Sequence, residues 1–404
     1  MAEMEIPPYF ICPITLDIMK DPVTISTGIT YDRESIENWI FCLEKTTCPV
    51  TKQLLFDTEL TPNITLRRLI QSWCVLHASQ GVERLPTPKA PISRSQILKL
   101  LNDANSPDMQ MNCLQRLKSI SYQNQTNKRC METVGTAEFL AFLIVQKTLD
   151  LESESKQACE VALSILYNLQ LSESGVKSIS NQEFIEALSR IMQWGSYESR
   201  AYAVMLLDSI LEVADPAQTV LSTINPECFS QCIQILKDEI SQKATKATLK
   251  VLINICQWGR NRIKAVEAGA VNLLIDLLLD YSDKRACEMI LVLLDLLCQC
   301  AEGRAELLNH SAGLAIVSKK ILRVSQVASE KAVKILYSVS RFSATPGVLQ
   351  DMLQIGVVAK LCLVLQVDCG IKIKERIREM LKLHSRAWRN SSCIPDNLIC
   401  SYPS

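Results

Sequence analysis

Three segments in the second half of the chain echo one another: Glu267-Ala-Gly-Ala-Val-Asn-Leu-Leu, Ser311-Ala-Gly-Leu-Ala-Ile-Val and Gln354-Ile-Gly-Val-Val-Ala-Lys-Leu. Gly269 and Gly313 lie 44 residues apart, and Gly313 and Gly356 lie 43 apart. Each segment leads into an apolar helical pattern, and further helical stretches occupy 247–255, 288–297 and 328–339. Earlier members begin at Gly135 and Asn181, and from Ser93 onward the pattern is almost wholly helical. A unit of this length cannot bury its own apolar face, so neighbours must stack into one continuous core. Composition agrees: 48% hydrophobic but only 5% aromatic residues suits Leu/Ile/Val/Ala helix packing better than a sheet sandwich.

The first 80 residues are of another kind. Pro22-Val23-Thr24-Ile25 and Ile29-Thr30-Tyr31 read as two strands joined by Ser26-Thr27-Gly28, where Gly28 is free to take positive φ. Asp32 stands where a helix N-cap should, Glu34 falls in the first turn, and Ile36, Trp39, Ile40 and Leu43 follow helical spacing. A second helix is expected after Asn63, with Leu66, Leu69, Ile70, Trp73 and Leu76 on one face. Cys12, Cys42, Cys48, Cys74 and His77 invite a zinc reading, but the chain has no C-x2-C pair, and five candidates cannot supply the eight ligands of a two-zinc cross-brace. Hydrogen bonds and charge pairs must then fix the loops, with Asp17, Asp21, Asp32, Arg33 and Glu37 as candidates.

The string Ile6-Pro7-Pro8-Tyr9-Phe10-Ile11-Cys12-Pro13-Ile14, with Asp21-Pro22-Val23, Gly28-Ile29-Thr30-Tyr31-Asp32-Arg33, Trp39 and Cys48-Pro49-Val50-Thr51, resembles a U-box, the zinc-free relative of the RING domain. The later segments resemble armadillo repeats, and the pairing resembles the plant U-box/armadillo ubiquitin ligases. The implied fold is mainly α: a small α+β U-box at 5–80, a linker at 81–92, an all-α armadillo superhelix of six or seven repeats at 93–389, and a tail at 390–404. The implied function is that of an E3 ubiquitin-protein ligase. Its U-box docks a ubiquitin-conjugating enzyme (E2), and a target held by the armadillo groove receives ubiquitin. The family pattern puts Ile14 and Leu16 on the first E2-binding loop, Trp39 on the helix and Pro49 on the second loop, with Ile14 exposed. Lys52 takes the place of a basic residue, often Arg, that steadies ubiquitin on the E2; Lys lacks the planar bidentate contacts of Arg. The resemblance also implies a U-box homodimer and a role in defence or stress signalling.

Other functions fit less well. Forty-three basic residues balance 43 acidic ones, so no global field draws nucleic acid. Trp194, Trp258, Asn168 and Asn254 form no regular Trp–Asn ladder, which argues against a nuclear-import receptor. Cys12 and Cys42 have no histidine nearby in sequence, so a thiol relay of ubiquitin is disfavoured and orientation of a loaded partner is expected. The 17 cysteines, Cys228/Cys232 and Cys298/Cys300 included, read as core thiols, and no cofactor or metal is expected. An acidic N-terminus without a leader core, and no apolar run of about 18 residues, point to a cytoplasmic protein, with nuclear or peripheral membrane location as alternatives. The longest apolar run, 289–301, is broken by Asp295 and Gln299. The last helical stretch, 371–388, is basic and reads as a solvated cap, with an acidic partner or anionic lipid as its other reading. Thr61-Pro62 and Thr87-Pro88 fit proline-directed phosphorylation as well as turn and cap chemistry. A non-catalytic armadillo adaptor with an inactive U-box is the competing function.

Overall fold

The computed structural model describes residues 6–43, 45–78, 83, 92–150, 152–213, 225–367 and 369–388, except the side chain of Cys42. It divides into two units, Met1–Ala141 with Ser164–Leu171, and Phe142–Leu163 with Ser172–Ser404.

The first unit opens with a three-stranded antiparallel sheet. Strand β1 (Pro22–Thr24) pairs with β2 (Thr30–Asp32) in the register Val23↔Tyr31, and β3 (Thr61–Pro62) joins the other edge of β1. Gly28 turns the hairpin at φ +79°, where a Cβ would be strained. Helix α1 (Arg33–Glu37) continues into a π-helical turn, Asn38–Cys42, closed by the Leu43 amide donating to Asn38 O at 2.9 Å. Such widened turns concentrate at functional sites. Helix α2 (Ile64–Leu76) is capped by Asn63, whose side chain accepts from the Leu66 amide at 3.1 Å.

The core beneath gathers Phe10, Cys12, Val23, Tyr31, Ile36, Cys48, Ile70 and Cys74. Two sequence expectations change here. Leu69 and Leu76 are exposed, because the buried stripe of α2 runs through Leu66, Ile70, Trp73 and Cys74 and leaves them on its flank. Asp32 occupies the N-cap position of α1, but its carboxylate turns away to accept the amides of Lys20 (2.7 Å) and Asp21 (2.9 Å). Three helices follow in this unit, α3 (Arg94–Asp103), α4 (Pro107–Ser121) and α5 (Gln125–Thr133), and α6 (Thr136–Lys147) begins in it and ends in the second unit. Fully buried Asn127 accepts the Ile92 amide at 3.1 Å and donates to Gln123 Oε1 at 3.2 Å, tying the start of this region to α5.

In the second unit, helices Tyr197–Val213, Gln242–Ile255, Lys284–Leu297, Gln326–Phe342 and Ile371–Leu383 each pack on the next, forming one layer. Four of them start on a side-chain cap accepting an amide three residues on: Ser196, Ser241, Asp283 and Ser325. Ion pairs stitch the layer. Lys250 reaches Glu212 at 2.6 Å and Asp208 at 3.5 Å, and Lys331 reaches Asp295 at 3.0 Å. Burial lifts the Asp208 carboxyl to about 6. Cys228, Cys232 and Cys298 are buried free thiols in this packing. Among the described residues no single helix is long and apolar enough to cross a membrane; one pair bent by 64°, Pro346–Gln354 with Val357–Gln366, passes by length and composition together.

The echoing glycines do different work. Gly269 and Gly356 sit at φ +86° and +73°, each just ahead of a helix. Gly313 begins its helix, and a Cβ there would stand 2.1 Å from Leu307 O. Gly313→Ala is therefore expected to lose about 1–3 kcal/mol by overpacking, read as a lowered denaturation midpoint.

Candidate functional site

Two loops of the first unit are built alike. In the first, the Cys12 amide donates to Asp17 O at 2.8 Å, the Leu16 amide donates to Cys12 O at 2.8 Å, and Leu16 adopts φ +62°. In the second, the Cys48 amide donates to Gln53 O at 2.8 Å, the Lys52 amide donates to Cys48 O at 3.0 Å, and Lys52 adopts φ +60°. Each loop is closed by a single antiparallel bridge, Ile11↔Ile18 and Thr47↔Leu54. Cys12-Pro-Ile-Thr-Leu and Cys48-Pro-Val-Thr-Lys thus form one motif used twice, with the fifth residue left-handed. A left-handed non-glycine residue costs about 1–3 kcal/mol and persists only where its surroundings enforce it.

The cysteines and strand β2 supply that enforcement. Both thiols are 0% exposed. Cys12 Sγ accepts the Asp32 amide at 3.3 Å. Cys48 Sγ accepts the Thr51 amide at 3.4 Å and the Thr27 hydroxyl at 3.4 Å, and lies 3.1 Å from the Tyr31 hydroxyl, which itself accepts the Val50 amide at 3.3 Å. Adjacent residues of β2, Tyr31 and Asp32, therefore hold one loop each. Burial opposes ionisation of Cys48, but the Thr27, Thr51 and Tyr31 hydroxyls with the Thr51 amide outweigh it and bring the thiol down to about 6. Burial, then the neighbouring Cys48, pushes the Tyr31 phenol up. Burial likewise opposes ionisation of Cys12, and the Asp32, Thr15 and Ile14 amides more than offset it. Among the described residues no three His, Cys, Asp or Glu side chains converge as ligands of a metal would.

Trp39 joins the helix to the second loop. Its indole Nε1 donates to Thr47 O at 2.7 Å, and Lys52 Nζ stands 5.9 Å from its ring centroid. The structure thus brings Trp39 and Lys52 together, with Pro49 half-buried between Cys48 and the exposed Val50. Leu16 is 74% exposed, whereas Ile14, expected to be exposed, is half-buried and packs against the core beneath. Val50, its counterpart in the matched loop, is the more exposed of the two. The signal for Val50 was in the sequence, as the repeated Cys-Pro-x-Thr string. Thr61 lies exposed on edge strand β3, and Thr87 lies outside the described residues.

Three of the charged candidates, Asp21, Arg33 and Glu37, fall into one network. Arg33 Nε meets Asp21 Oδ2 at 2.6 Å, Arg67 meets Asp21 Oδ1 at 3.4 Å, and Arg33 meets Glu37 at 3.7 Å. Asp17 stands outside this network and closes the first loop through its backbone carbonyl, which receives the Cys12 amide.

Residues 6–79 match the U-box domain family model, and residues 95–404 match that for the plant U-box protein ARM repeat region. The chain belongs to the plant U-box/ARM-repeat family. It is 57% identical to E3 ubiquitin-protein ligase PUB23 of Arabidopsis thaliana, over 99% of this chain and 98% of the relative. It is 54% identical to E3 ubiquitin-protein ligase PUB22 of Arabidopsis thaliana, over 100% and 99%. A solved structure from work on a phosphorylation switch between cadherin and beta-catenin superposes with a TM-score of 0.60 at 14% identity, covering 84% of this chain and 62% of that one, and shows the fold alone. The family makes this chain an enzyme, a U-box E3 ubiquitin-protein ligase. Enzymes of this type work with an E2 and ubiquitin, and the repeats are protein-binding elements.

The Cys48 environment gives a pH prediction. Its folded pKa, about 6, lies below the roughly 8.5 of an unfolded cysteine, so the stabilisation is complete above about 8.5 and is lost as pH falls through 6. The thermal midpoint of the N-terminal transition should rise across that window, and Cys48→Ser should flatten this rise.

Proposed function

We propose that Leu16, Ile14, Pro49 and Trp39 seat the E2, and that the chain speeds transfer by orienting the loaded E2, with no thioester intermediate on its own cysteines. The matched pair of loops carries this reading. Their strained fifth residues project Leu16 and Lys52 from two rigid, independently tied loops, and a pre-ordered apolar projection is what a hot-spot contact requires. Lys52, held over Trp39, offers a point charge to the ubiquitin carried by the E2. Cys12 and Cys48 are enclosed, so neither can take up a thioester. A lysine amine of the target attacks the E2 thioester; an amide forms and the E2 thiol leaves.

The layer of stacked helices in the second unit binds the target. The domains are assigned to 5–80 for the U-box, 81–92 for the linker, 93–389 for the repeats and 390–404 for the tail, in a cytoplasmic protein. Exposed Leu69, Val75 and Leu76 on α2 offer an apolar flank for U-box pairing. Thr61, on the free edge of the sheet, is the proposed phosphosite that alters pairing or docking, since phosphate adds close to two negative charges there.

A purified reaction with activating enzyme, an E2 panel, ubiquitin and ATP tests the reading. The wild type should build a self-ubiquitin ladder. Leu16→Ala should weaken E2 binding roughly tenfold without changing the thermal midpoint, because the side chain touches little of its own fold. Ile14→Ala should lose both binding and stability, and Lys52→Arg should raise the rate. A folded wild type that builds no ladder with any E2 would leave the adaptor reading. Thr61→Glu should shift oligomeric state or activity in sedimentation and ladder assays; no change in either removes Thr61 from the scheme.

A further inference from the structure

We infer that the helix presenting Trp39 to the E2 is clamped from its opposite side to the first repeat helices, and that Glu37 and Thr126 are positioning residues for ubiquitin transfer. The inference rests on the reading above that Trp39 lines the E2 groove.

Between Arg33 and Cys42 the chain offers three faces. Ile36 and Ile40 enter the U-box core. Trp39 points to the second loop through its bond to Thr47 O. Glu37 and Phe41, one turn apart, meet α5. Glu37 is 3% exposed, and its Oε2 accepts the Gln125 amide at 3.0 Å while its Oε1 accepts the Thr126 hydroxyl. The Arg129 guanidinium lies 5.3 Å from the Phe41 ring centroid.

The chemistry on the α5 side suits a carboxylate. The first amides of a helix have no intrahelical acceptor and carry partial positive charge. Asn124 takes the Asn127 amide at 2.7 Å, and Glu37, 88 residues away in sequence, takes the Gln125 amide. The first turn of α5 is thus completed by a side chain from the U-box.

Further bonds carry the connection onward. Asn127 holds the Ile92 amide, and Lys128 Nζ reaches Asn168 Oδ1 at 3.3 Å. Asn168 in turn donates to Ser121 O at 3.0 Å. On the other side, Glu37 meets Arg33, which meets Asp21, which meets Arg67 of α2. The wall of the proposed E2 groove and the beginning of the repeats are therefore one bonded body, joined by more than the covalent connection. Such a clamp limits which lysines the thioester can reach, a selectivity set by orientation.

Thr126→Ala/Arg129→Ala tests this from the α5 side and leaves the Arg33–Glu37 pair of the U-box intact; Glu37→Ala is the second variant. Three readings are taken on the full-length chain: hydrogen exchange of residues 125–127, discharge of ubiquitin from the loaded E2 to free lysine, and a mass-spectrometric map of self-modified lysines. Exchange at 125–127 should rise about tenfold, as expected when a hydrogen bond to a charged group is lost. In Thr126→Ala/Arg129→Ala, discharge to free lysine should stay within about twofold of wild type, while the distribution of modified lysines changes. Thr126→Ser, which keeps the hydroxyl, should restore the wild-type map. Exchange and map both unchanged in the two variants would overturn the clamp. Discharge falling in step with the rise in exchange would overturn the positioning role, because the contact would then act on E2 docking. If the wild type itself fails to discharge, the E2 reading falls and the exchange data still decide the clamp.

Discussion

Arg33 is the charge around which the N-terminal part of this chain closes. Its guanidinium is enclosed between Asp21 and Glu37, and Asp21 also holds Arg67, so four alternating charges link a loop and two helices. Buried ion pairs add little net stability relative to apolar packing, but removing one partner strands a charge and costs several kcal/mol. That asymmetry makes the network a device for specifying one arrangement. Structural zinc in small fingers contributes on the order of 10–16 kcal/mol. Here a charge network on one side and sulfur-centred hydrogen bonds on the other tie down the loops.

Strand β2 distributes the second constraint. Through Tyr31 and Asp32 it grips Cys48 and Cys12, and each cysteine closes its own loop through its amide and carbonyl. Two left-handed non-glycine residues can be sustained because each loop is held at several points. The result is a pair of rigid projections, the second of them beside Trp39, a pre-ordering that lowers the entropic cost of any contact made through them.

The repeats follow a different logic. Four of the five helices of the layer in the second unit are started by a local cap, and each packs on its neighbour, with lysines of two of them crossing to acids of the preceding helix. Near-neighbour terms of this kind suit an array that grows by repetition.

Local chemistry was legible in the sequence. The hairpin at Gly28, the cap at Asn63, the helical register of Ile36 and Ile40, and the 43–44-residue recurrence all arise from interactions within a few residues, or from one unit reproducing its neighbour. So did the family, because Cys12-Pro-Ile, Asp21-Pro-Val and Cys48-Pro-Val-Thr are spaced by loops of set length. What the sequence could not decide was partnership over distance. Asp32 had two amide clusters within its reach, one at its own helix and one at Lys20 and Asp21, and only the folded loop settled the choice. Leu69 looked as apolar as Ile70 until α2 lay on the sheet. Glu37 read as a candidate for the charge network of the loops, and its second partner came from α5, 88 residues further on, which brings the Gln125 amide to it. Helical periodicity and caps are short-range and leave a trace in sequence spacing; a carboxylate's partner across the fold leaves none, since packing alone brings the two together.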